Sequence, residues 1–250
     1  MPPSKTVSVT ARPGRQSVPA SRFQSPDCNP EVAGSATVWS GRASNSFRGL
    51  PIARAALTFA SARHANQYRE IDRASFIAHP IEVGSLLRAD GQPDEVIAAG
   101  LLHDLLEKTG TTRAELQRRF GARVAGLVES VSDDPSIDGY GSRKRELRHR
   151  VAHGGSDTIA IFAADKISKV RELMLVPTSR LGETTTRAKL AHYRASLEML
   201  RGVAGNSALV DLLNAELKRV SHKPVTRTRT DGAITGTARA KRSKPRARTM

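Results

Sequence analysis

The chain has 250 residues, of which 38% are hydrophobic, enough for one core of ordinary size with some chain left over. Its 40 lysines and arginines outnumber its 24 acidic residues, and the formal net charge is +16. This excess lies mostly at the two ends, because residues 1–50 carry +4 and residues 221–250 carry +8, which leaves +4 for residues 51–220. The composition therefore predicts one nearly balanced globular domain, residues 51–220, between two basic ends.

Composition also excludes several classes of protein. No apolar run approaches the roughly 18 residues that a membrane helix requires. Cys28 is the only cysteine, so internal disulfides and zinc sites built from several cysteines are excluded. The N-terminus shows no apolar segment of the signal-peptide type. We therefore expect a cytoplasmic protein without a membrane partner, and an organelle transit peptide within the Arg- and Ser-rich residues 1–50 is the alternative.

Both ends of the chain have few apolar residues. Ordering a residue costs about 1–2 kcal/mol in chain entropy, and these stretches have little apolar surface to offset that cost. We expect a disordered leader over residues 1–50 and a basic disordered tail over residues 221–250. The tail could contact nucleic acid weakly through phosphates, although it has no aromatic residue for base stacking. A solvated tail is the alternative.

The middle of the chain is predicted to be helical. From Ile52 to Val220, apolar residues recur every three or four positions, which is the period of a helix, and alternating strand patterns are absent. The fold class is therefore predicted to be all-α. In chain order, helices are predicted over Ala55–Tyr68, Pro80–Leu87, Asp94 to about Lys108, a segment capped by Thr111, Ser142–Val151, Ile159–Leu175, 184–201 and 206–220. The helices beginning at Asp94 and Ile159 are apolar on nearly all sides, which predicts that they are central.

Polar residues within these two apolar helices are the main functional signal. His103 and Asp104 lie in GLLHDLLEK, and Asp165 lies in IAIFAADKI. Burying a charge costs several kcal/mol unless the charge is paired or binds a metal, so a shared divalent cation would satisfy all three. His79, just before Pro80 at a helix start, is a fourth candidate ligand. Two imidazoles and two carboxylates suit manganese, iron or zinc better than calcium.

Glu107 is the candidate catalytic residue. It lies one helical turn after His103, on the same face, and could orient or deprotonate the attacking water. Structural alternatives exist for single residues: His79 could lie at a surface helix start, and Asp165 could cap a neighbouring helix. His64 is expected to pack rather than to bind a metal. No role is assigned to the histidines of polar stretches, which are His149, His153, His192 and His222.

In this order, the candidate ligands resemble those of the HD-domain metal-dependent phosphohydrolases. The sequence is most similar to the hydrolase domain of the RelA/SpoT alarmone enzymes and their small stand-alone relatives. The resemblance covers roughly residues 52–205. Its motifs here are ASARHANQYR (60–69), SFIAHP, AAGLLHDLLEKTGTT, FGARVAGLVESV and AADKISKV.

The resemblance implies an HD-domain helical bundle. It implies a manganese-type ion, or another divalent transition metal, on His79, His103, Asp104 and Asp165. It also implies that Arg69 contacts the guanine base, and that the activity is hydrolysis of the 3′-pyrophosphate of guanosine tetra- or pentaphosphate.

Basic side chains could serve such a substrate, because they would offset the charge of its phosphoryl groups. Arg143, Lys144 and Arg148 on the basic helix are candidate phosphate contacts, and a solvated basic face is the alternative for them.

Two positions depart from the pattern of the family. Lys108 follows Glu107 where the alarmone hydrolases usually have Asp, and Lys169 stands where Asn is common, four residues after the last Asp. Both lysines could bind a more anionic substrate, or they could form salt bridges with acidic residues. Three alternatives therefore remain. The chain could be an HD-domain hydrolase of another nucleotide, or a nucleotide sensor without turnover. It could also be a nucleic-acid-associated protein whose function depends on its tails.

Overall fold

The computed structural model describes residues 46–176 and 183–222. The predicted disorder of the leader and tail, and the nucleic-acid contact of the tail, fall on residues that lie almost wholly outside these ranges. Within them the chain is helical and forms no strand, and a single isolated bridge joins Tyr68 and Ser75. The all-α prediction is confirmed.

The helices follow one another with short connections. They are α1 Pro51–Arg63, α2 Ala78–Ala89, α3 Asp94–Leu102, α4 Leu105–Lys108, α5 Arg113–Val131, α6 Tyr140–His153, α7 Gly155–Leu175, α8 Thr184–Val203 and α9 Ala208–Ser221. Over the described ranges, none of these helices has the length and apolar character needed to cross a membrane.

Helices α3 and α7 form the centre of the bundle, as predicted. α3 packs against α1, α2, α5 and α7, and α7 packs against α2, α3, α5, α6, α8 and α9. From Val96 to Leu102 every residue of α3 is buried, and so is every residue of α7 from Thr158 to Ser168. Because each fully buried Leu, Ile or Val stabilises the fold by about 1.5–3 kcal/mol, these two helices contribute most to the core. Any polar side chain they carry is therefore enclosed by packed helices.

The N-terminus of α1 is capped from a distant part of the chain. Pro51 occupies the first turn, where its missing N–H costs nothing. The next two backbone N–H groups, of Ile52 and Ala53, donate to the carboxylate of Asp94 at 3.0 and 2.8 Å. Asp94 begins α3, so this cap ties α1 to the central helix.

The cap of α5 is Thr112 rather than the predicted Thr111. The Thr112 hydroxyl accepts a hydrogen bond from the backbone N–H of Glu115 at 3.2 Å. The Thr111 hydroxyl lies 2.8 Å from that of Thr109. The sequence pattern fits either of the two adjacent threonines as the N-cap. Because the Thr111 hydroxyl contacts Thr109, Thr112 is the residue that caps the helix.

The predicted single helix from Asp94 to Lys108 is interrupted. α3 ends at Leu102 and α4 begins at Leu105, with His103 and Asp104 in the turn between them. The imidazole Nδ1 of His103 lies 2.8 Å from the carbonyl oxygen of Gly100 and donates a hydrogen bond to it. This side-chain bond satisfies a backbone carbonyl at the C-terminal end of α3.

Helices α6 and α7 are both longer than predicted. α6 extends two residues beyond Ser142–Val151 at each end, and α7 begins at Gly155 instead of Ile159. Gly155 has φ +82°, a left-handed conformation that glycine adopts readily, so the chain turns from one helix into the next without a loop.

Candidate active site

The four predicted ligands converge at the centre of the bundle. His79 lies in the first turn of α2, His103 and Asp104 lie between α3 and α4, and Asp165 lies in α7. All four are buried, with exposed fractions of 0%, 5%, 6% and 8% respectively. The alternative that His79 lies at a helix start on the protein surface is therefore wrong.

Distances between the ligand atoms are those of a shared site. Nε2 of His79 lies 3.1 Å from Nε2 of His103, 3.2 Å from Oδ1 of Asp165 and 3.5 Å from Oδ2 of Asp104. Nε2 of His103 lies 3.5 Å from Oδ2 of Asp104 and 3.6 Å from Oδ1 of Asp165. Ligands bound at about 2.0–2.2 Å to one ion are about 3–3.5 Å apart when adjacent, so all of these pairs can surround a single cation.

The other nitrogen of each imidazole fixes its tautomer. Nδ1 of His103 donates to the Gly100 carbonyl. Nδ1 of His79 lies 2.8 Å from the Ser168 hydroxyl, which itself donates to Glu82 at 2.7 Å, so His79 must donate to Ser168. In the neutral form of each imidazole the lone pair is therefore on Nε2, and the two Nε2 atoms face each other. A cation between them would turn this repulsive contact into coordination.

Two carboxylate oxygens point to the same conclusion. Oδ2 of Asp165 accepts from the Lys166 ammonium group. Oδ1 of Asp165 and Oδ2 of Asp104 are buried without a hydrogen-bond partner. Buried polar atoms are normally satisfied, so these oxygens fit the donor set of a metal ion. His79, His103 and Asp165 together could bind such an ion, and Oδ2 of Asp104 lies 3.5 Å from Nε2 of both histidines.

The protonation states suit metal binding. Burial opposes ionisation of Asp104, but the charges of His103 and Lys169 outweigh it and hold the pKa of the carboxyl below its usual range. Burial and the charge of Lys169 lower the pKa of His79 to about 3, which keeps its imidazole neutral. Burial also acts to lower the pKa of His103, but the carboxylates of Asp104 and Asp165 raise it overall. These two carboxylates are the groups that a bound cation would neutralise.

The two unusual lysines lie beside the ligands. Nζ of Lys169 is 3.8 Å from Oδ2 of Asp104 and 5.5 Å from the centre of the Phe76 ring. Nζ of Lys108 is 5.3 Å from the centre of the same ring. Both lysines thus lie beside the Phe76 ring, and Lys169 also lies beside the candidate ligand Asp104.

Glu107, the predicted catalytic residue, is exposed on α4. One of its carboxylate oxygens accepts from the backbone N–H of Asp133 at 2.7 Å. This bond holds the carboxylate at the surface end of α4, one turn beyond His103.

Arg69 forms an ion pair with Asp72. Its Nε donates to one carboxylate oxygen at 3.0 Å and its Nη2 donates to the other. The pair closes the loop between α1 and α2, and the guanidinium is mostly buried there.

The basic residues of α6 have partners within the protein. Nζ of Lys144 donates to both carboxylate oxygens of Asp133 at 2.9 and 2.8 Å, and Arg143 donates to the Ile137 carbonyl at 3.1 Å. Arg148 lies with Nη1 2.7 Å from Nδ1 of a buried histidine, His192. The contacts of these three residues are with other parts of the chain and not with the four ligands.

Sequence reasoning missed several residues around the site. Ser168 and Glu82 orient His79, and Glu172 lies with Oε1 3.6 Å from its Nδ1. Spacing could have revealed the first two, because Ser168 is three residues after Asp165 and Glu82 is three residues after His79. His192, assigned to a polar stretch, is 4% exposed.

The chain is similar in sequence to proteins of known family. A family model described as "HD domain" matches residues 56–153. A protein of Danio rerio named guanosine-3′,5′-bis(diphosphate) 3′-pyrophosphohydrolase MESH1 is 30% identical over 158 residues, which cover 62% of this chain and 86% of the relative. Its Homo sapiens namesake is 34% identical over 121 residues, 47% of this chain and 67% of the relative.

Solved structures show the same similarity. One, described as "A metazoan ortholog of SpoT hydrolyzes ppGpp and plays a role in starvation responses", has a TM-score of 0.59 and 26% identity, covering 67% of this chain and 94% of the other. The protein lmo0812 of Listeria monocytogenes has a TM-score of 0.52 and 25% identity, covering 57% of this chain and 92% of the other. The chain belongs to the HD-domain family of metal-dependent hydrolases, in the group that contains the guanosine-3′,5′-bis(diphosphate) 3′-pyrophosphohydrolases.

Proposed function

We propose that the chain is a Mn²⁺-dependent phosphohydrolase that removes the 3′-pyrophosphate from guanosine 3′,5′-bis(diphosphate) or its pentaphosphate. One observation carries the proposal. Two imidazole nitrogens, His79 Nε2 and His103 Nε2, face each other 3.1 Å apart beside two unpartnered carboxylate oxygens. The names of the similar proteins support the substrate.

Four residues would hold the metal: His79, His103, Asp104 and Asp165. Their mixed nitrogen and oxygen donors favour a transition ion such as Mn²⁺ over Ca²⁺. Bound there, the ion would polarise the phosphoryl group and lower the pKa of the attacking water.

Glu107 would accept the proton of the attacking water. As the water oxygen bonds to phosphorus, the bond from phosphorus to the leaving oxygen breaks, and the departing group takes up a proton. The bond from Asp133 N–H would hold the Glu107 carboxylate in one orientation during this transfer.

Other residues would bind the substrate. The pair with Asp72 fixes the guanidinium plane of Arg69, which would present its edge to the guanine base. Arg143, Lys144 and Arg148 line one side of α6 and would contribute positive charge toward the distal phosphates.

Incubation of the purified chain with Mn²⁺ and a panel of nucleotides tests the proposal. We expect release of pyrophosphate from guanosine 3′,5′-bis(diphosphate), and loss of this release in His103→Ala and Asp165→Ala. Lys218→Met, at an exposed position of α9, is the matched control and should retain it. Failure to release pyrophosphate, or release that persists in both ligand variants, would contradict the proposal.

A second candidate is a nucleotide sensor that binds without turnover. Lys108 favours it, because a cation there places a positive charge beside the proposed proton acceptor Glu107. Tight binding of a nucleotide by the metal-loaded protein, without product after prolonged incubation, would support the sensor over the enzyme.

A further inference from the structure

We propose that Lys108 and Lys169 together form a paired ammonium site that binds the pyrophosphate group of the ligand at the metal cluster. The inference rests on the proposed function, because it takes the four buried ligands to hold a divalent ion. It adds a specific role for two residues that come from different helices.

The positions of the two lysines relative to the ligands are alike. Lys108 comes four residues after Asp104, and Lys169 comes four residues after Asp165. Residues four apart on a helix share a face, and the backbone N–H of Lys108 donates to the Asp104 carbonyl at 2.9 Å, which shows that one helical turn separates them. Each lysine is thus one turn beyond a candidate metal ligand.

Both lysines also meet at one aromatic ring. Their Nζ atoms lie 5.3 and 5.5 Å from the centre of Phe76, within cation–π distance. The Phe76 ring in turn packs edge-on against His79, with 6.0 Å between ring centres. Phe76 is therefore a contact that the two ammonium groups share, and its ring lies against the candidate ligand His79.

The positive charges of Lys108 and Lys169 favour the binding of an anion beside the metal. The ammonium group of Lys169 lies 3.8 Å from Oδ2 of Asp104. A divalent ion would cancel the charges of its two carboxylate ligands, so only the carboxylates of Glu172 and Glu107 would still offset the charge of Lys169. A pyrophosphate group, with several anionic oxygens, would bridge the ion and both ammonium groups.

A purely structural role for the lysines makes a different prediction. Removing a positive charge beside the cluster should tighten the binding of the metal in either case. Lysines that only neutralise the acidic cluster should therefore leave the Kd for pyrophosphate unchanged when they are removed from the metal-saturated protein. Lysines that bind the anion should raise that Kd when they are removed.

The first measurement is calorimetric titration of inorganic pyrophosphate into the protein at a fixed free Mn²⁺ concentration that saturates it. We expect Lys108→Met and Lys169→Met each to raise the Kd on the order of tenfold or more, since hydrogen bonds to charged groups are among the stronger ones. Lys108→Arg, which keeps the charge, should retain binding. Lys218→Met is again the matched control and should bind as the unmodified chain does.

The second measurement is titration of Mn²⁺ alone into the metal-free proteins. We expect the Kd for Mn²⁺ to fall by about threefold or more in Lys169→Met, because a positive charge next to the metal is removed. Lys108 is exposed, so Lys108→Met alone decides the question if Lys169→Met fails to fold.

Three results would overturn the inference: no pyrophosphate binding by the unmodified chain, a Kd for pyrophosphate unchanged in Lys108→Met, or metal and pyrophosphate affinities that fall together. The proposed function fails by a different readout, the release of pyrophosphate from nucleotides. Pyrophosphate binding that depends on both lysines without any nucleotide hydrolysis would keep the paired site and reject the enzyme.

Discussion

At the scale of single residues, the orientation of His79 depends on side chains that do not belong to the ligand set. Ser168 accepts from Nδ1 of His79 and donates to Glu82, which also accepts from Arg171 at 2.9 Å. Arg171 in turn donates to Glu216 of α9 at 2.8 Å. A chain of polar contacts therefore runs from the last helix to a candidate metal ligand, and it keeps the Nε2 lone pair directed at the cluster.

Ser168→Ala tests this chain. Without the hydroxyl, Nδ1 of His79 loses its acceptor and the imidazole can take the other tautomer, so we expect the Kd for Mn²⁺ to rise about 10- to 100-fold, as is typical for residues that orient a ligand. Equilibrium dialysis with metal analysis measures it.

The matched control is Ser85→Ala, because Ser85 lies on the same helix as His79, α2, and its hydroxyl donates to the carbonyl of Ile81 in that helix. We expect this variant to bind Mn²⁺ as the unmodified chain does. An unchanged metal affinity in Ser168→Ala would show that Ser168 does not orient the ligand.

Most of the candidate site could be predicted from the sequence, because charged residues within apolar helices have few explanations. The order of His79, His103–Asp104 and Asp165 was sufficient to predict their convergence. Ser168 and Glu82 could not be paired from sequence, since they are 86 positions apart and both are common surface residues.

At the scale of elements, α2 and α3 pack unusually closely. A Cβ built on Gly100 would lie 2.3 Å from Cδ1 of Leu87, and one built on Gly84 would lie 2.8 Å from Cδ2 of Leu101. In each helix, a glycine without a Cβ leaves room for a leucine side chain of the other helix. This close approach helps to bring His79 of α2 within reach of His103.

Gly100→Ala should therefore destabilise the fold, by about 1–3 kcal/mol, because the added methyl group overpacks a buried contact. Chemical denaturation at constant pH measures the free energy of unfolding. Gly126→Ala is the matched control, since Gly126 is also helical but has nothing within 4 Å of a built Cβ, and it should stabilise by about 0.5–1 kcal/mol. Equal effects of the two substitutions would contradict the close packing.

Helix positions were predictable to within a few residues, but the break between α3 and α4 was not. The sequence GLLHDLLEK has good helix formers throughout and a continuous apolar pattern. The break accompanies a side-chain bond, His103 to the Gly100 carbonyl, which depends on the tertiary position of His103. Helix propensity depends on neighbouring residues in the sequence, so it does not predict a break that depends on tertiary contacts.

At the scale of the whole molecule, His192 couples folding to pH. It is buried between α6, α7 and α8, and its burial, together with the charges of Lys166, Lys144 and Arg148, lowers its pKa to about 2, with Asp165 opposing. An unfolded chain takes up a proton on this histidine below pH 6.5, whereas the folded chain stays neutral there. Stability contributed by His192 is thus present above pH 6.5 and is lost as the pH falls toward 2.

Between pH 7 and pH 5 this loss should be about 2 kcal/mol in the free energy of unfolding, since each pH unit below 6.5 costs about 1.4 kcal/mol. His192→Gln keeps an acceptor for Arg148 but cannot be protonated. We expect the difference in unfolding free energy between pH 7 and pH 5 to be smaller in this variant by that amount, with the metal-free protein used throughout.

His153→Gln, at an exposed position of α6, is the matched control and should keep the pH dependence of the unmodified chain. A pH dependence that is the same in His192→Gln and the unmodified chain would contradict the coupling. The amphipathic stripe of α8, in which Tyr193, Ser196 and Leu197 are also buried, could have revealed the burial of His192 from sequence.

Metal content tests the central claim most directly. The purified chain, dialysed against Mn²⁺ and analysed for bound metal, should contain about one ion per chain, as expected for one four-residue site. His103→Ala and Asp165→Ala should contain almost none under the same conditions, while their far-ultraviolet circular dichroism remains helical. Equal metal content in the unmodified chain and in both folded variants would show that these side chains do not share a cation.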